Sequence, residues 1–256
     1  MPSRWLATLP GIDPAAVRLE HLHAVACTWL DDSDEAHRAK TKPYSISPPI
    51  EAPGGAAIEI GLLTDQAADR FRQRVPAGTR VRLGSAWTTI RTPPQPVAST
   101  PWAALLAGKD CRAWSLRFLT PTTFRRGNAF TPTPNLSAIL GSLRRTWREF
   151  APADLPPLEL DLSTDPVWLT DIDVASQTVR VNDRTVSGFT GRLRFVFDTD
   201  GESEAAASVD ALVRLAEYAG IGAYTTRGFG MVRQEPTWTP APPRRPEARR
   251  RPTAVG

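Results

Sequence analysis

The chain has no apolar run approaching the roughly eighteen residues of a membrane-spanning helix. Its start, MPSRWLATLPGID, holds neither a long apolar core nor a small-residue cleavage site, so it does not read as a secretory signal. Cysteine is scarce: Cys27 and Cys111 are the only two, and their spacing fits no metal motif. They read as buried thiols of a cytoplasmic protein rather than as a disulfide. Histidine is almost as scarce, with three residues, His21, His23 and His37. No G-K-[ST] follows a glycine loop, which excludes a P-loop. The body also lacks an excess of either charge. The net +4 equals the surplus of the last stretch, 236–256, where five arginines stand against Glu247 alone. A nucleic-acid argument therefore rests on where the body's arginines cluster, not on their total.

What is present is length, proline and periodicity. A chain of 256 residues suits one large domain or two small ones, and 25 prolines imply many loops. A strand is predicted at 4–9 and a helix over about 14–30, with Leu22, Val25, Ala26 and Trp29 on one face. Ile58, Ile60 and Leu62 alternate as a strand. Asp65 is placed to cap a helix running to Val75. Val81 and Leu83 alternate with Arg80 and Arg82 in a strand that continues towards Ile90. Residues 38–57 carry little periodic signal. The four prolines of 93–101 read as a connector, and TPWAALLAG (100–108) as a short packing segment.

The second half repeats the scheme. A strand at 113–119 precedes a helix at 135–150 with an apolar stripe of Leu136, Ile139, Leu140, Leu143, Trp147 and Phe150. Strands follow near 167–174 and 179–181. A longer one turns Phe189, Gly191, Leu193, Phe195 and Phe197 inward. A helix over 204–219 and a strand at 229–234 close the pattern. Two β-α-β-β-α-β units in tandem give an α+β architecture of duplicated ferredoxin-like (RRM-like) domains, 1–100 and 101–235. The segment 236–256 reads as a disordered proline- and arginine-rich tail.

Between the last helix and strand stands GIGAYTTRGFG (220–230). A dinucleotide fingerprint needs G-x-G-x-x-G between a strand and a helix. Here Thr225 occupies the third glycine position and the order is helix, loop, strand, so that reading fails. Two readings stay open. One is a glycine-rich hairpin that only turns the chain. The other is a backbone cradle for phosphates, with Arg227 inside it offering a guanidinium fork.

The run AEYAGIGAYTTRGFGMVR resembles the C-terminal glycine-rich loop of the RAMP superfamily of CRISPR-associated RNA-binding proteins. Two more stretches narrow the likeness. One is LRFLTPTTFRRG (116–127) with the helix ending RRTWREFAP (144–152). The other is LEHLHAVACTWLDDSDEAHRAKTKPYSISPP (19–49), a helix, then a histidine, then a K-P-Y-S-I-S-P run. Together they are similar to the repeat-processing endoribonucleases of CRISPR systems, the Cas-six family, over nearly the whole chain except the tail. The resemblance implies tandem ferredoxin-like domains and cleavage of the precursor CRISPR transcript within each repeat, with no metal and no cofactor. It implies that the glycine loop (Gly220, Gly222, Thr225, Arg227, Gly228 and Gly230) holds RNA and does not break bonds.

Metal-free RNA cleavage uses the substrate's own 2′-hydroxyl as nucleophile. The protein must take that proton, protonate the leaving 5′-oxygen and stabilise charge on the phosphorane. An imidazole suits the proton work, its ordinary pKa being about 6.5. His21 and His23 lie two residues apart on a helix and face different ways. His37, read from its surroundings alone, is an exposed loop histidine. The family's catalytic histidine commonly precedes the K-P-Y run, which implies His37 as general base or acid. The same comparison puts Lys42, with Lys40 next to it, at the phosphorane, and Tyr44 at phosphate orientation or proton transfer. A packed aromatic is the alternative for Tyr44.

Arg125 and Arg126, in the turn after a strand, are expected to touch phosphate. Arg144, Arg145 and Arg148 lie opposite an apolar stripe, as a solvated face does, with a basic groove as the alternative. Arg192 and Arg194, and Arg80 and Arg82, form rows suited to line an inter-domain cleft. Asp161, Asp165, Asp171 and Asp173 read as solvated loop carboxylates and not as metal ligands. The expected partner is CRISPR repeat RNA. Effector-complex subunits and a second copy of the chain stay open as partners, and no membrane is expected. A non-catalytic RNA-binding subunit of an effector complex is the alternative function, and an RNA binder outside CRISPR biology a third.

Overall fold

A computed structural model describes residues 1–108, 111–164, 166–198 and 203–236. The N-terminal half contains β1 (Ser3–Pro10), α1 (Leu19–Leu30), α2 (Asp34–Arg38), β2 (Tyr44–Ile46), β3 (Ile50–Ala52), β4 (Gly55–Leu62), α3 (Asp65–Arg74), β5 (Arg80–Leu83), β6 (Ala86–Thr89) and β7 (Gln95–Ser99). The strands form an antiparallel sheet in the order β2-β4-β1-β7, with β3 also on β4. Period-two alternation buries Ser3, Trp5, Ala7 and Leu9 on one face of β1. Leu22, Val25, Ala26 and Trp29 of α1 and Phe71 of α3 close over that face.

Four expectations are corrected here. The helix expected from residue 14 is two pieces: a 3-10 turn at Pro14–Ala16, then extended backbone at Val17 and Arg18 before α1. The single strand expected over 81–90 is the hairpin β5–β6, reversed at Gly84 with φ 66°. The proline-rich connector contains β7, which pairs with β1 at the sheet edge, where the missing N–H of Pro96 is tolerated. Thr64, not Asp65, caps α3, its hydroxyl accepting from the Ala67 N–H.

The C-terminal half contains α4 (Trp102–Leu105), β8 (Ala113–Thr122), β9 (Phe124–Arg126), β10 (Ala129–Thr131), α5 (Leu136–Phe150), β11 (Val167–Val181), β12 (Arg184–Phe197), α6 (Glu204–Ala219) and β13 (Val232–Glu235). Its main sheet runs β11-β12-β8-β13. β11 is one long strand instead of two, because residues 175–178 pair with β12 across a turn at Asn182, φ 53°. Phe189, Leu193 and Phe195 of β12 meet Ile139, Leu140, Leu143 and Trp147 of α5 and Leu212 of α6 in a second core. The last strand begins at Val232 because Phe229 and Gly230 belong to the preceding loop.

The two halves meet at α6, a helix buried on nearly every side, as one packed on two surfaces must be. Ser45 Oγ donates to the Tyr218 carbonyl at 2.8 Å. Gly61 faces the same carbonyl oxygen, which leaves no room for a Cβ. Arg233 is paired with Glu59 at 2.6 Å. Among the described residues no helix is long and apolar enough to cross a membrane.

Candidate active site

α1 carries His23 and Cys27 four residues apart, and Asp31 follows at the same interval as its C-cap. A helical repeat puts all three on one face. The chain then reverses into α2, whose start is fixed by Ser33 accepting from the Ala36 N–H at 3.0 Å. His37 thus stands in the last turn of a short helix and not in a loop. Its side chain stays 56% exposed.

Asp31 is the hub of the cluster. Its Oδ2 accepts from His37 Nδ1 at 3.0 Å. Its Oδ1 accepts from Lys42 Nζ at 2.9 Å and from the Tyr44 hydroxyl at 3.0 Å. Lys42 also donates to the Ala36 carbonyl, which ties it to α2. Burial pushes the Asp31 carboxyl up, but the hydrogen bonds from Lys42, His37 and Tyr44 outweigh it and hold the group below the usual carboxylate range. Tyr44 is pushed up, first by burial and then by the neighbouring Cys27 and Asp31, and stays neutral. Lys42 and Tyr44 are sunk beside Asp31, and His37 is the member that reaches solvent.

His23 connects this cluster to the glycine loop. Its Nδ1 donates to the Thr226 carbonyl at 3.1 Å. Its ring lies 6.2 Å from that of His37, centroid to centroid. Burial, then the Arg227 charge, keeps its pKa below the ordinary histidine value, so it is neutral at pH 7.

The loop is more tightly tied than a free cradle. The N–H groups of Ile221, Ala223 and Gly230 are donated to Gly230, Thr123 and Pro121 carbonyls at 2.8–3.0 Å. Gly220, Gly222, Gly228 and Gly230 all have φ between 69° and 88°. Gly228 lies 3.2 Å from Pro48 of the K-P-Y-S-I-S-P-P run, counted from where a Cβ would stand. Gly228 and Gly230 are buried, so these glycines shape the loop. What the loop presents is its 3-10 turn, Thr225–Arg227, half-buried. Tyr224 stacks on Phe130 of the β9–β10 hairpin at 5.0 Å, and the Arg227 guanidinium lies over the Tyr224 ring.

Arg125 and Arg126 are exposed on β9, the first strand of that hairpin, and Arg125 donates to the Gly127 carbonyl. The other arginine rows have partners within their own sheets. Arg192 and Arg194 are paired across strands with Asp173 and Asp171 at 3.3 and 3.1 Å, so these aspartates are strand residues and not solvated loop charges. Arg80 and Arg82 stack on the exposed Trp87 of their own hairpin. Asp161 binds Ser163 locally, and Asp165 lies outside the described residues. No motif marks Asp31 or His23; the spacing H-x3-C-x3-D is the signal the sequence offers.

Two antiparallel sheets packed with helices make an α+β protein, and a cluster of ionisable side chains gathered on Asp31 lies beside the glycine loop where its halves meet. Comparison with known proteins narrows the class. Residues 116–232 match the family model described as CRISPR-associated endoribonuclease Cas6. A CRISPR-associated endoribonuclease Cas6 of Mycobacterium tuberculosis is 26% identical over 84% of this chain and 71% of its own. One of Streptococcus thermophilus is 23% identical over 89% and 96%. A Cas6 product complex superposes with a TM-score of 0.74 at 25% identity, covering 91% of this chain and 99% of that one. A second gives 0.78 at 23% over 92% and 99%. Over these lengths the chain is similar to CRISPR-associated endoribonucleases of the Cas6 family.

Proposed function

We propose that the chain is a metal-independent endoribonuclease that cuts precursor CRISPR RNA within its repeats. The substrate 2′-oxygen forms a bond to the adjacent phosphorus while the 5′-oxygen leaves. The products are a 2′,3′-cyclic phosphate and a 5′-hydroxyl. The convergence of His37, Lys42 and Tyr44 on Asp31, beside the glycine loop, carries this reading. Asp31 holds the Nδ1–H of His37, so Nε2 is the atom that exchanges protons with substrate. Lys42 keeps one N–H beyond its two partners to offer a phosphorane oxygen. Tyr44 orients Asp31. The turn Thr225–Arg227, with Arg125 and Arg126 on the neighbouring hairpin, receives the RNA backbone.

The strand orders support two ferredoxin-like domains, 1–100 and 101–235, since each unit's first strand lies between its third and fourth. RNA lies across their joint. That similar Cas6 proteins have been solved as a product complex and a substrate mimic complex fits this reading.

Incubation of repeat RNA with the protein in EDTA tests it. The expected outcome is a cyclic-phosphate product, with no cut when the attacking 2′-hydroxyl is removed. His37→Ala is expected to bind the repeat as before and to cleave about 10²–10⁴-fold more slowly. Cleavage at the parental rate would remove His37 from the mechanism. Tight binding of intact RNA by the unaltered protein would favour a non-catalytic RNA-binding subunit.

A further inference from the structure

The row His23, Cys27, Asp31 and the overhanging His37 hold four donors of three types that RNA cleavage does not by itself require together. A His23 ring nitrogen lies 3.7 Å from Cys27 Sγ. His37 Nδ1 lies 3.0 Å from Asp31 Oδ2. Ligand atoms of Cys27, Asp31 and His37 all fall within 4.8 Å of one another. Zinc bonds are about 2.0–2.2 Å to nitrogen or oxygen and about 2.3 Å to sulfur, so neighbouring ligand atoms of a tetrahedral ion stand roughly 3.3–3.6 Å apart. Of the six edges of such a tetrahedron, His23–Cys27 and His37–Asp31 are already near that length, and those from Cys27 to Asp31 and His37, within 4.8 Å, need a contraction of at most about 1.5 Å.

The donor set is a thiolate, two imidazoles and a carboxylate, which suits zinc(II) and not magnesium or calcium. Asp31 is also pre-oriented. Lys42 and Tyr44 hold its Oδ1, leaving Oδ2 towards the row, as outer partners hold a metal-binding carboxylate. His23 donates its Nδ1–H to Thr226, which leaves Nε2 as the ring nitrogen with a free lone pair; Cys27 Sγ lies 3.7 Å from both ring nitrogens, so the imidazole must turn for Nε2 to share an ion with the thiol.

We propose that His23, Cys27, Asp31 and His37 form an inhibitory site for a zinc-class divalent cation. On binding, Cys27 Sγ gives its proton to solvent and bonds the ion. The ion takes the place of the hydrogen between His37 Nδ1 and Asp31, and the ring proton moves to Nε2. Nε2 then has no lone pair with which to accept the 2′-hydroxyl proton. The Lys42 ammonium beside Asp31 opposes a cation, so the site is weaker than a structural zinc site, as a reversible inhibitor requires. The inhibitory consequence rests on the reading of His37 above; the binding of the ion does not.

The test uses the full chain, reduced and free of chelator, titrated with zinc sulfate against a chromophoric zinc indicator and in parallel for repeat-RNA cleavage. One zinc per chain is expected at this site, with cleavage lost over the same concentration range and restored by EDTA. Cys27→Ala should cleave as the parent does without zinc, bind zinc at least tenfold more weakly and resist inhibition in proportion. Cys111→Ala should change neither. Cobalt(II) should show a thiolate charge-transfer band in the parent and none in Cys27→Ala. His23→Gln, which keeps the thiol, should also weaken zinc binding. Absence of zinc binding by the parent, or parental affinity in Cys27→Ala, would overturn the site. A protein that binds zinc through Cys27 but cuts no RNA would leave the site standing and sink only the nuclease reading.

Discussion

Asp31 illustrates how much one carboxylate can decide. It accepts from an exposed imidazole, a sunken ammonium and a buried phenol, and each partner comes from a different point along the chain. Asp31→Asn keeps the shape but leaves the Lys42 ammonium, 9% exposed, without its counter-charge. Removing one partner of a buried pair costs about 3–5 kcal/mol, and this site near the surface belongs at the lower end. The sign with pH follows from the lowered carboxyl pKa. An unfolded aspartate titrates near about 3.9, above the folded group, so the unfolded state takes up the proton first as pH falls. The stability supplied by Asp31 is therefore complete above that value and lost as pH drops through the folded one. The melting-temperature gap between parent and Asp31→Asn should be constant from neutral pH to about pH 5 and shrink below about pH 4. A gap that persists in acid would mean that the charge is not what stabilises the cluster. Cleavage by Asp31→Asn should fall about 10²-fold, since His37 loses its fixed tautomer while the RNA surface is untouched.

At the scale of elements, α2 and the α6–β4 packing carry the most. α2 has five residues, too few to persist without its cap, and Ser33 is that cap. Ser33→Ala should cost about 1 kcal/mol and release His37. Cleavage is expected to slow several-fold with repeat affinity unchanged; an equal loss in both would place Ser33 at the RNA surface instead. Gly61→Ala drives a methyl group into the Tyr218 carbonyl, and overpacking of this kind costs about 1–3 kcal/mol. Thermal unfolding checks the magnitude. Elements differ in how legible they are in the sequence. α5 and α6 are readable because their apolar residues recur at helical spacing over four turns. β12 is readable because Phe189, Leu193, Phe195 and Phe197 alternate. β7 is not, because an edge strand paired on one side tolerates proline and need not bury alternate residues. β2 and β3 are hidden for a related reason: strands of three residues are too short to show a period.

The whole molecule places its candidate chemistry at a joint. α6 supplies the packing surface, Arg233 and Glu59 bridge it, and the glycine loop turns back onto α1 and Pro48. Charge is distributed differently from this architecture, since the arginine-rich end, 236–256, matches the entire net excess. Deleting residues 237–256 should flatten the salt dependence of RNA binding. The log–log slope should fall by about 0.7–0.9 for each phosphate that the tail neutralises, without moving the cut site. A shifted cut site would mean that the tail positions the substrate.

The sequence by itself determined the longer periodic elements, such as α5, α6 and β12, and the likeness to Cas6 proteins carried by the glycine loop and the K-P-Y-S-I-S-P run. These are local properties, written in periodicity and in glycine and proline placement. Only the tertiary structure decided that Asp31 is the hub, that His23 reaches Thr226 and that Arg192 and Arg194 are spent on aspartates. His23 and Thr226 stand 203 positions apart, and only the packing of one half on the other joins them. Asp31 meets partners 6, 11 and 13 positions away through the turn into α2, and the arginines meet their aspartates through the register of β12 on β11; spacing along the chain does not encode which side chains those turns and registers bring together.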